Sequence, residues 1–140
     1  MENGSEGFEE GYIKKMDNKY YVLPITNPDS PIRVLYTDAE IENGLYSYTY
    51  RLENDRANLL TVSRRETVEY VTSIHGMSDG CVTIDLGGET VQIQVSEKAE
   101  ESLESVDFTN YSVSCLTEIG VEEGILTLIS AEIIRYAPQK

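Results

Sequence analysis

Few residues in the sequence have the types and spacing that catalysis or metal binding requires. Cys81 and Cys115 are the only cysteines, and His75 is the only histidine. A structural zinc site needs four cysteine or histidine ligands, and acid–base catalysis most often uses histidine. No glycine-rich phosphate loop, GxSxG elbow or HExxH helix occurs either. We therefore predict a protein that is not an enzyme and that has no cofactor and no metal site.

The remaining residues of these types have simpler explanations. Both cysteines lie in runs that are typical of strands, where a free cysteine acts as a small hydrophobic residue; a disulfide between them is the alternative. Asp17, Asp79 and Asp85 lie near predicted turns and could be metal ligands, but turns favour Asp without any metal.

The charge of the chain restricts the ligands to consider. There are 25 acidic and 11 basic residues, which gives a net charge of −14. Such a charge opposes binding to nucleic acid or anionic membranes, because contacts to phosphate depend on Lys and Arg. The charge is unevenly distributed, with eight basic and nine acidic residues in 11–70 but three basic and twelve acidic residues in 71–140. A phosphate-binding surface is therefore expected in the first half.

An internal repeat predicts the elements that position these residues. Ile13 precedes Ile74 by 61 residues, and the same spacing matches the apolar residues of the next strand in each half. Each half follows the order strand, strand, strand, helix or turn, strand, strand. Ser96 is the predicted N-cap of a helix in the second half, with Ala99, Leu103 and Val106 on one face. The first half has only a short turn at 38–44.

This order of elements is that of the OB-fold. We predict an all-β protein of two tandem small five-stranded OB-like Greek-key barrels, with one short helix in the second. The predicted boundaries are an acidic flexible tail over 1–10, a first unit over 11–70 and a second unit over 71–140. A single irregular β-sandwich is the alternative.

The second unit resembles the small OB domains of replication protein A-type single-strand binders. The resemblance lies in the pattern of 80–86, 88–95 and 124–128, within roughly residues 68–138. It implies an OB barrel and suggests single-strand binding.

The pairing of the two halves also predicts which side chains face the core. The predicted inward rows of the second unit are Val82, Ile84 and Leu86, then Val91, Ile93 and Val95, then Tyr111, Val113 and Cys115. Those of the first unit are Tyr21, Leu23 and Ile25, then Ile32, Val34 and Tyr36, then Tyr46, Tyr48 and Tyr50. The last row could stack bases, but core packing is favoured because the second unit has Tyr111, Val113 and Cys115 at these positions.

The predicted binding surface is the outward row of the second and third strands, the face on which OB-folds commonly bind ligands. It consists of Tyr20, Val22, Arg33 and Leu35. Lys14, Lys15 and Lys19 are expected to border it from the first strand and turn. Arg56 and Arg64 are expected to contribute from the last hairpin, which also contains Arg65. For each single basic residue, the alternative is a solvated surface with ion pairs.

The predicted helix of the second unit has an acidic surface. Its members are Glu97, Glu100, Glu101 and Glu104, next to Asp107. Such a surface can dock a basic partner protein or serve solubility alone.

Together these features predict a non-catalytic OB-fold binding module of a complex that acts on single-stranded DNA or RNA, with the second unit docking a protein. The alternative is a purely protein-binding or structural assembly subunit, for example from a virus or phage, in which Tyr20, Val22 and Leu35 form a subunit or homo-oligomer interface. No apolar run is long enough to span a membrane, and the first residues do not resemble a secretion signal. We expect a cytoplasmic, nucleoid or nuclear location.

Overall fold

A computed structural model describes residues 4–27, 29–30 and 32–139. Over these residues the chain is almost entirely β-structure, with one short helix. The elements are β1 (Ser5–Met16), β2 (Lys19–Pro24), β3 (Arg33–Tyr36), β4 (Gly44–Glu53), β5 (Arg56–Arg65), β6 (Thr67–Ser78), β7 (Cys81–Leu86), β8 (Glu89–Val95), α1 (Glu97–Leu103), β9 (Tyr111–Glu122) and β10 (Ile125–Pro138).

The strands form two closed five-stranded barrels of the same topology. Barrel one has the order β1-β2-β3-β5-β4 and barrel two has the order β6-β7-β8-β10-β9, and the first and fourth strands of each close the barrel. The third and fifth strands of each barrel pair in parallel, and α1 connects the third and fourth strands of barrel two. The predicted tandem OB-like architecture is confirmed, and the β-sandwich alternative is wrong.

Four of the hairpins close through two-residue turns in which both residues have positive φ. This is the type I′ geometry, which matches the right-handed twist of paired strands and favours Asn, Asp and Gly. The turns are Asp17-Asn18, Asn54-Asp55, Asp79-Gly80 and Glu123-Gly124. Turn geometry thus accounts for Asp17 and Asp79, as predicted.

The predicted flexible tail over 1–10 is wrong for the residues from Ser5 onward; residues 1–3 lie outside the described part of the chain. Ser5–Glu10 pairs with β4, from Ser5 opposite Leu52 to Glu10 opposite Ser47. A carboxylate oxygen of Glu6 lies 2.7 Å from Nη2 of Arg51, and a carboxylate oxygen of Glu10 lies 3.5 Å from Nε of Arg65. Basic partners on β4 and β5 compensate these acids, so an acidic segment can form a strand.

The boundary between the barrels lies slightly earlier than predicted. β5 ends at Arg65 and β6 begins at Thr67, so Glu66 separates the barrels and 67–70 belongs to barrel two. Residues 68–74, which cross the predicted boundary between the units, lie within the single strand β6.

The predicted inward rows of β2 and β3 have the wrong phase. Tyr20, Val22 and Leu35 are only 6%, 0% and 2% exposed and belong to the core of barrel one. β6 has a β-bulge between Ile74 and Gly76, so the turn at Asp17 matches the turn at Asp79 at a spacing of 62 rather than 61. A shift of one residue exchanges the two faces of a strand.

The other predicted core rows are confirmed. Tyr46, Tyr48 and Tyr50 are 7%, 1% and 6% exposed. In barrel two the buried rows include Val82, Ile84, Leu86, Ile93, Val95, Val113 and Cys115. Tyr111 is the exception at 42% exposure, because it begins β9 at the end of the barrel.

The helix and the cysteines behave as simple structural residues. The Ser96 side chain accepts a hydrogen bond from the Ala99 amide at 3.2 Å, and Ala99 and Leu103 are buried. Cys81 and Cys115 are both free thiols, which excludes the disulfide alternative, and burial raises the pKa of Cys115 to about 11.

The two barrels share an apolar interface. Ile25 and Leu45 of barrel one belong to the core cluster of barrel two. The Gly87 amide donates to the Ile25 carbonyl at 3.1 Å. Gly87 has a φ of +62°, and a Cβ placed there would overlap the carbonyl oxygen of Pro24, so only glycine fits at this contact.

Candidate functional site

Three residues of the predicted binding surface are inaccessible to a ligand. Tyr20, Val22 and Leu35 are buried inside barrel one, and the Tyr20 hydroxyl accepts a hydrogen bond from the Ile41 amide at 3.0 Å. The prediction that they contact a nucleic acid, or form a subunit interface, is therefore wrong.

Arg33, the fourth member, has its partners within barrel one. Its Nη2 lies 3.4 Å from a carboxylate oxygen of Glu9 and also donates to the Ser30 hydroxyl. Its guanidinium stacks 4.9 Å from the centre of the Tyr50 ring, and only 20% of the side chain is exposed. Arg33 therefore forms a structural ion pair with Glu9 and is mostly buried.

Glu9 is the centre of this buried polar cluster. Its carboxylate is 2% exposed. It accepts hydrogen bonds from the Tyr48 hydroxyl at 2.9 Å, the Tyr50 hydroxyl at 3.3 Å and the side-chain amide (Nδ2) of Asn27 at 2.8 Å. Burial, and then the negative charge of Glu9, raise the pKa of both Tyr48 and Tyr50. Donors that remain protonated at neutral pH surround the carboxylate, as a buried charge requires.

The outward side of β1, β2 and β3 forms a different surface. Lys14 lies opposite Tyr21 in the β1–β2 pair, and Tyr21 lies opposite Val34 in the β2–β3 pair. Directly opposed residues of antiparallel strands share a face of the sheet, so these three side chains are neighbours. Met16 and Lys19 form the next opposed pair on the same face, beside the turn.

Two residues extend this surface toward β5. The guanidinium of Arg56 lies 4.8 Å from the centre of the Tyr36 ring, a cation–π contact. Tyr36 pairs with Asn58 across the parallel β3–β5 contact. We call the resulting surface the outer face; it comprises Lys14, Met16, Lys19, Tyr21, Val34, Tyr36 and Arg56.

The outer face combines available positive charge with aromatic surface. Met16 and Tyr36 are 44% and 39% exposed. Across the described residues, no carboxylate lies within 4.0 Å of the charged groups of Lys14, Lys19 or Arg56. Flat rings beside unpaired cations can stack bases and contact phosphates.

Barrel two covers one end of the outer face. Tyr12 and Leu23, opposed on β1 and β2, pack against the core of barrel two. The other end reaches the short turn at Asp17-Asn18. An extended ligand on the outer face would therefore run across β1, β2 and β3, because barrel two blocks the direction along the strands at Leu23.

The other predicted basic residues lie away from the outer face. Lys15 pairs with Glu40 at 3.5 Å and lies over the Tyr20 ring. The guanidinium of Arg64 stacks 5.4 Å from the centre of the Tyr46 ring. Of the predicted basic residues, the structure thus brings Lys14, Lys19 and Arg56 to one surface.

The sequence-based prediction missed Tyr21, Val34, Tyr36 and Met16. The first three were assigned to the core through the phase error in β2 and β3. The matching turns, Asp17-Asn18 and Asp79-Gly80, were the signal that could have corrected it, because both fix the start of the second strand.

The corresponding face of barrel two has different chemistry. Thr83 lies opposite Gln92, and Asp85 accepts a hydrogen bond from the Thr90 hydroxyl at 2.6 Å. His75 lies 2.9 Å from the other oxygen of Asp85. Among the described residues, no aromatic ring on this face lies beside a cation, so barrel one is the better candidate for binding nucleic acid.

The acidic surface of α1 is exposed as predicted. Glu97, Glu100, Glu101 and Glu104 all face solvent. They are therefore accessible to a partner protein.

No protein-family model matches the sequence, and no curated protein is significantly similar to it. Among residues 4–27, 29–30 and 32–139, no group of three or more His, Cys, Asp or Glu side chains is placed to hold a metal ion. The same residues contain no helix long and apolar enough to cross a membrane. The geometry of the outer face is therefore the main basis for a functional argument.

Proposed function

We propose that the protein is a non-catalytic OB-type binding module of a complex that acts on single-stranded nucleic acid. The outer face of barrel one contacts the strand, and the acidic surface of α1 docks a protein. The observation that carries the proposal is the row formed by Lys14, Tyr21 and Val34, next to the stacked pair of Tyr36 and Arg56.

Each part of the outer face has a role in this proposal. Tyr21 and Tyr36 stack on unpaired bases, and Lys14, Lys19 and Arg56 contact the phosphates. The net charge of −14 does not prevent binding, because the charges of barrel two are screened over about 8 Å at physiological ionic strength. The affinity is modest and depends strongly on salt.

Fluorescence anisotropy with labelled single-stranded DNA and RNA at low salt tests the nucleic-acid half. Tyr21→Ala and Tyr36→Ala should each weaken binding by about 5- to 150-fold, which corresponds to about 1–3 kcal/mol for a stacked base. Three phosphate contacts predict a slope of about −2 for log K against log salt concentration.

Tyr136→Ala is the matched control, because Tyr136 is 50% exposed but lies on barrel two. The control should bind like the unmodified protein. Absence of binding to either strand, or equal losses in the control and the outer-face variants, would disprove the nucleic-acid half.

A second candidate function is a purely protein-binding or structural assembly subunit. Ile134 and Tyr136 are 57% and 50% exposed, and Tyr136 contacts Tyr111 edge-to-face with ring centres 5.9 Å apart. Such apolar exposure is typical of surfaces between proteins. Light scattering that shows a stable dimer dissociated by Tyr136→Ala, together with no strand binding, would favour this candidate.

A further inference from the structure

β5 of barrel one has an open edge. β3 pairs with β5 only at Ala57 and Asn58, and the described ladder from Leu59 to Arg65 pairs with β4 alone. Residues 60–65 are all exposed. The edge therefore presents unpaired backbone groups over most of a strand, a feature that invites pairing with another chain.

Barrel two covers the first two residues of the corresponding segment of its own last strand. Leu128 lies opposite Ile119 before a bulge, as Leu59 lies opposite Tyr50 in barrel one. The Ser96 amide donates to the Leu128 carbonyl at 2.9 Å, and the Ser96 hydroxyl donates to the Ile129 carbonyl at 2.6 Å. The start of α1 thus satisfies carbonyls on this edge.

Barrel one has no equivalent cover. Residues 37–43 contain no helix, and none of the hydrogen bonds described for them reaches β5. The start of α1 thus fills the position beside Leu128 and Ile129 in barrel two, and none of the described residues of barrel one fills the equivalent position beside Leu59 and Leu60.

The composition of β5 indicates the charge of a suitable partner. The strand contains Arg56, Arg64 and Arg65 and no acidic residue, in a chain with 25 acids. Leu60 and Val62 are 45% and 38% exposed between these arginines. A segment that alternates acidic and apolar residues would complement both the charge and the apolar side chains.

We propose that an extended acidic segment of a partner protein adds as a sixth strand to the β5 edge between Leu59 and Arg65. Backbone hydrogen bonds supply affinity. Arg64 and Arg65 face opposite sides of β5. Arg64 stacks on Tyr46 and Arg65 lies 3.5 Å from Glu10, but both remain exposed, and their positive charge favours an acidic segment. This site is separate from the outer face, so it does not depend on the proposed strand binding.

Synthetic peptides test the strand addition directly. The probe is a labelled nonapeptide in which glutamate alternates with valine and threonine, with two further versions N-methylated at alternate residues. Successive amides of a strand point to opposite edges, so one methylated version should lose binding at least about tenfold while the other retains it. Arg64→Gln with Arg65→Gln should weaken binding about fivefold or more.

Lys98→Gln with Arg135→Gln is the control, because it removes two charges from barrel two and should leave peptide affinity unchanged. No binding of the peptide, equal effects of both methylated versions, or equal losses in the two double variants would overturn the proposal. Competition by oligothymidylate would assign the edge to nucleic acid, and a dimer abolished by Arg64→Gln with Arg65→Gln would assign it to a second copy. Either result would also overturn it.

Discussion

The buried carboxylate of Glu9 explains why an acidic segment belongs to the fold. In sequence, Glu6, Glu9 and Glu10 look like part of a solvated tail. In the structure each pairs with an arginine on another segment: Glu6 with Arg51, Glu9 with Arg33 and Glu10 with Arg65. These contacts are distant in sequence, so composition alone could not predict them.

Removal of one hydrogen-bond donor to Glu9 should therefore destabilise barrel one. We expect Tyr48→Phe to lower the free energy of unfolding by about 1.5–3 kcal/mol, because a buried carboxylate loses a donor without gaining water. Urea denaturation followed by circular dichroism measures the effect.

Tyr136→Phe is the matched control for Tyr48→Phe, because it removes an exposed hydroxyl. It should change stability by less than about 0.5 kcal/mol. Equal stabilities of the two variants would contradict the role assigned to the Glu9 cluster.

At the scale of elements, the number and order of strands could be predicted, whereas the spacing of the repeat gave the wrong phase for β2 and β3. Alternating apolar residues and turn residues mark each strand in sequence. The bulge in β6 between Ile74 and Gly76 leaves no such mark, since one extra residue changes the spacing of the repeat without changing its composition. Because of this error, Tyr21 was predicted in the core and Tyr20 on the binding surface, whereas the structure has them the other way round.

The helix of barrel two was predicted from its cap, and the structure adds a second role for the same residue. Ser96 accepts from Ala99 and donates to Ile129 on β10. Ser96→Ala should lower the free energy of unfolding by about 1–2 kcal/mol, which thermal or urea denaturation would detect.

The control for Ser96→Ala is Ser102→Ala, whose exposed hydroxyl donates only to the Lys98 carbonyl within the same helix. This variant should be close to neutral. A Ser96→Ala protein as stable as the control would show that the cap does not hold α1 on β10.

At the scale of the whole molecule, the two barrels dock through a close backbone contact. In sequence, the one sign of such packing is that no stretch rich in Pro, Gly or Ser separates the two halves, whereas the partners of Gly87 follow from the fold. Gly87→Ala should destabilise the protein both through its positive φ and through overlap with Pro24.

Gly80→Ala separates these two effects, because Gly80 has a φ of +78° but open space where a Cβ would lie. We expect Gly80→Ala to cost about 1 kcal/mol from the backbone alone and Gly87→Ala to cost about 1–3 kcal/mol more. Urea denaturation of both variants measures the difference. Equal costs would mean that the barrels do not meet at Gly87.

The charge of the whole molecule also limits where a nucleic acid could bind. Barrel two carries most of the negative charge, and its face equivalent to the outer face is polar. Binding should therefore be confined to barrel one, on the side away from Tyr12 and Leu23.

Amide chemical-shift mapping during titration with oligothymidylate at low salt tests the central claim most directly. We predict that the perturbed amides cluster on β1, β2, β3 and the start of β5, around Tyr21 and Tyr36, while the face with Thr83 and Gln92 stays unchanged. Perturbations centred on barrel two, or none at all at saturating oligonucleotide, would contradict the account.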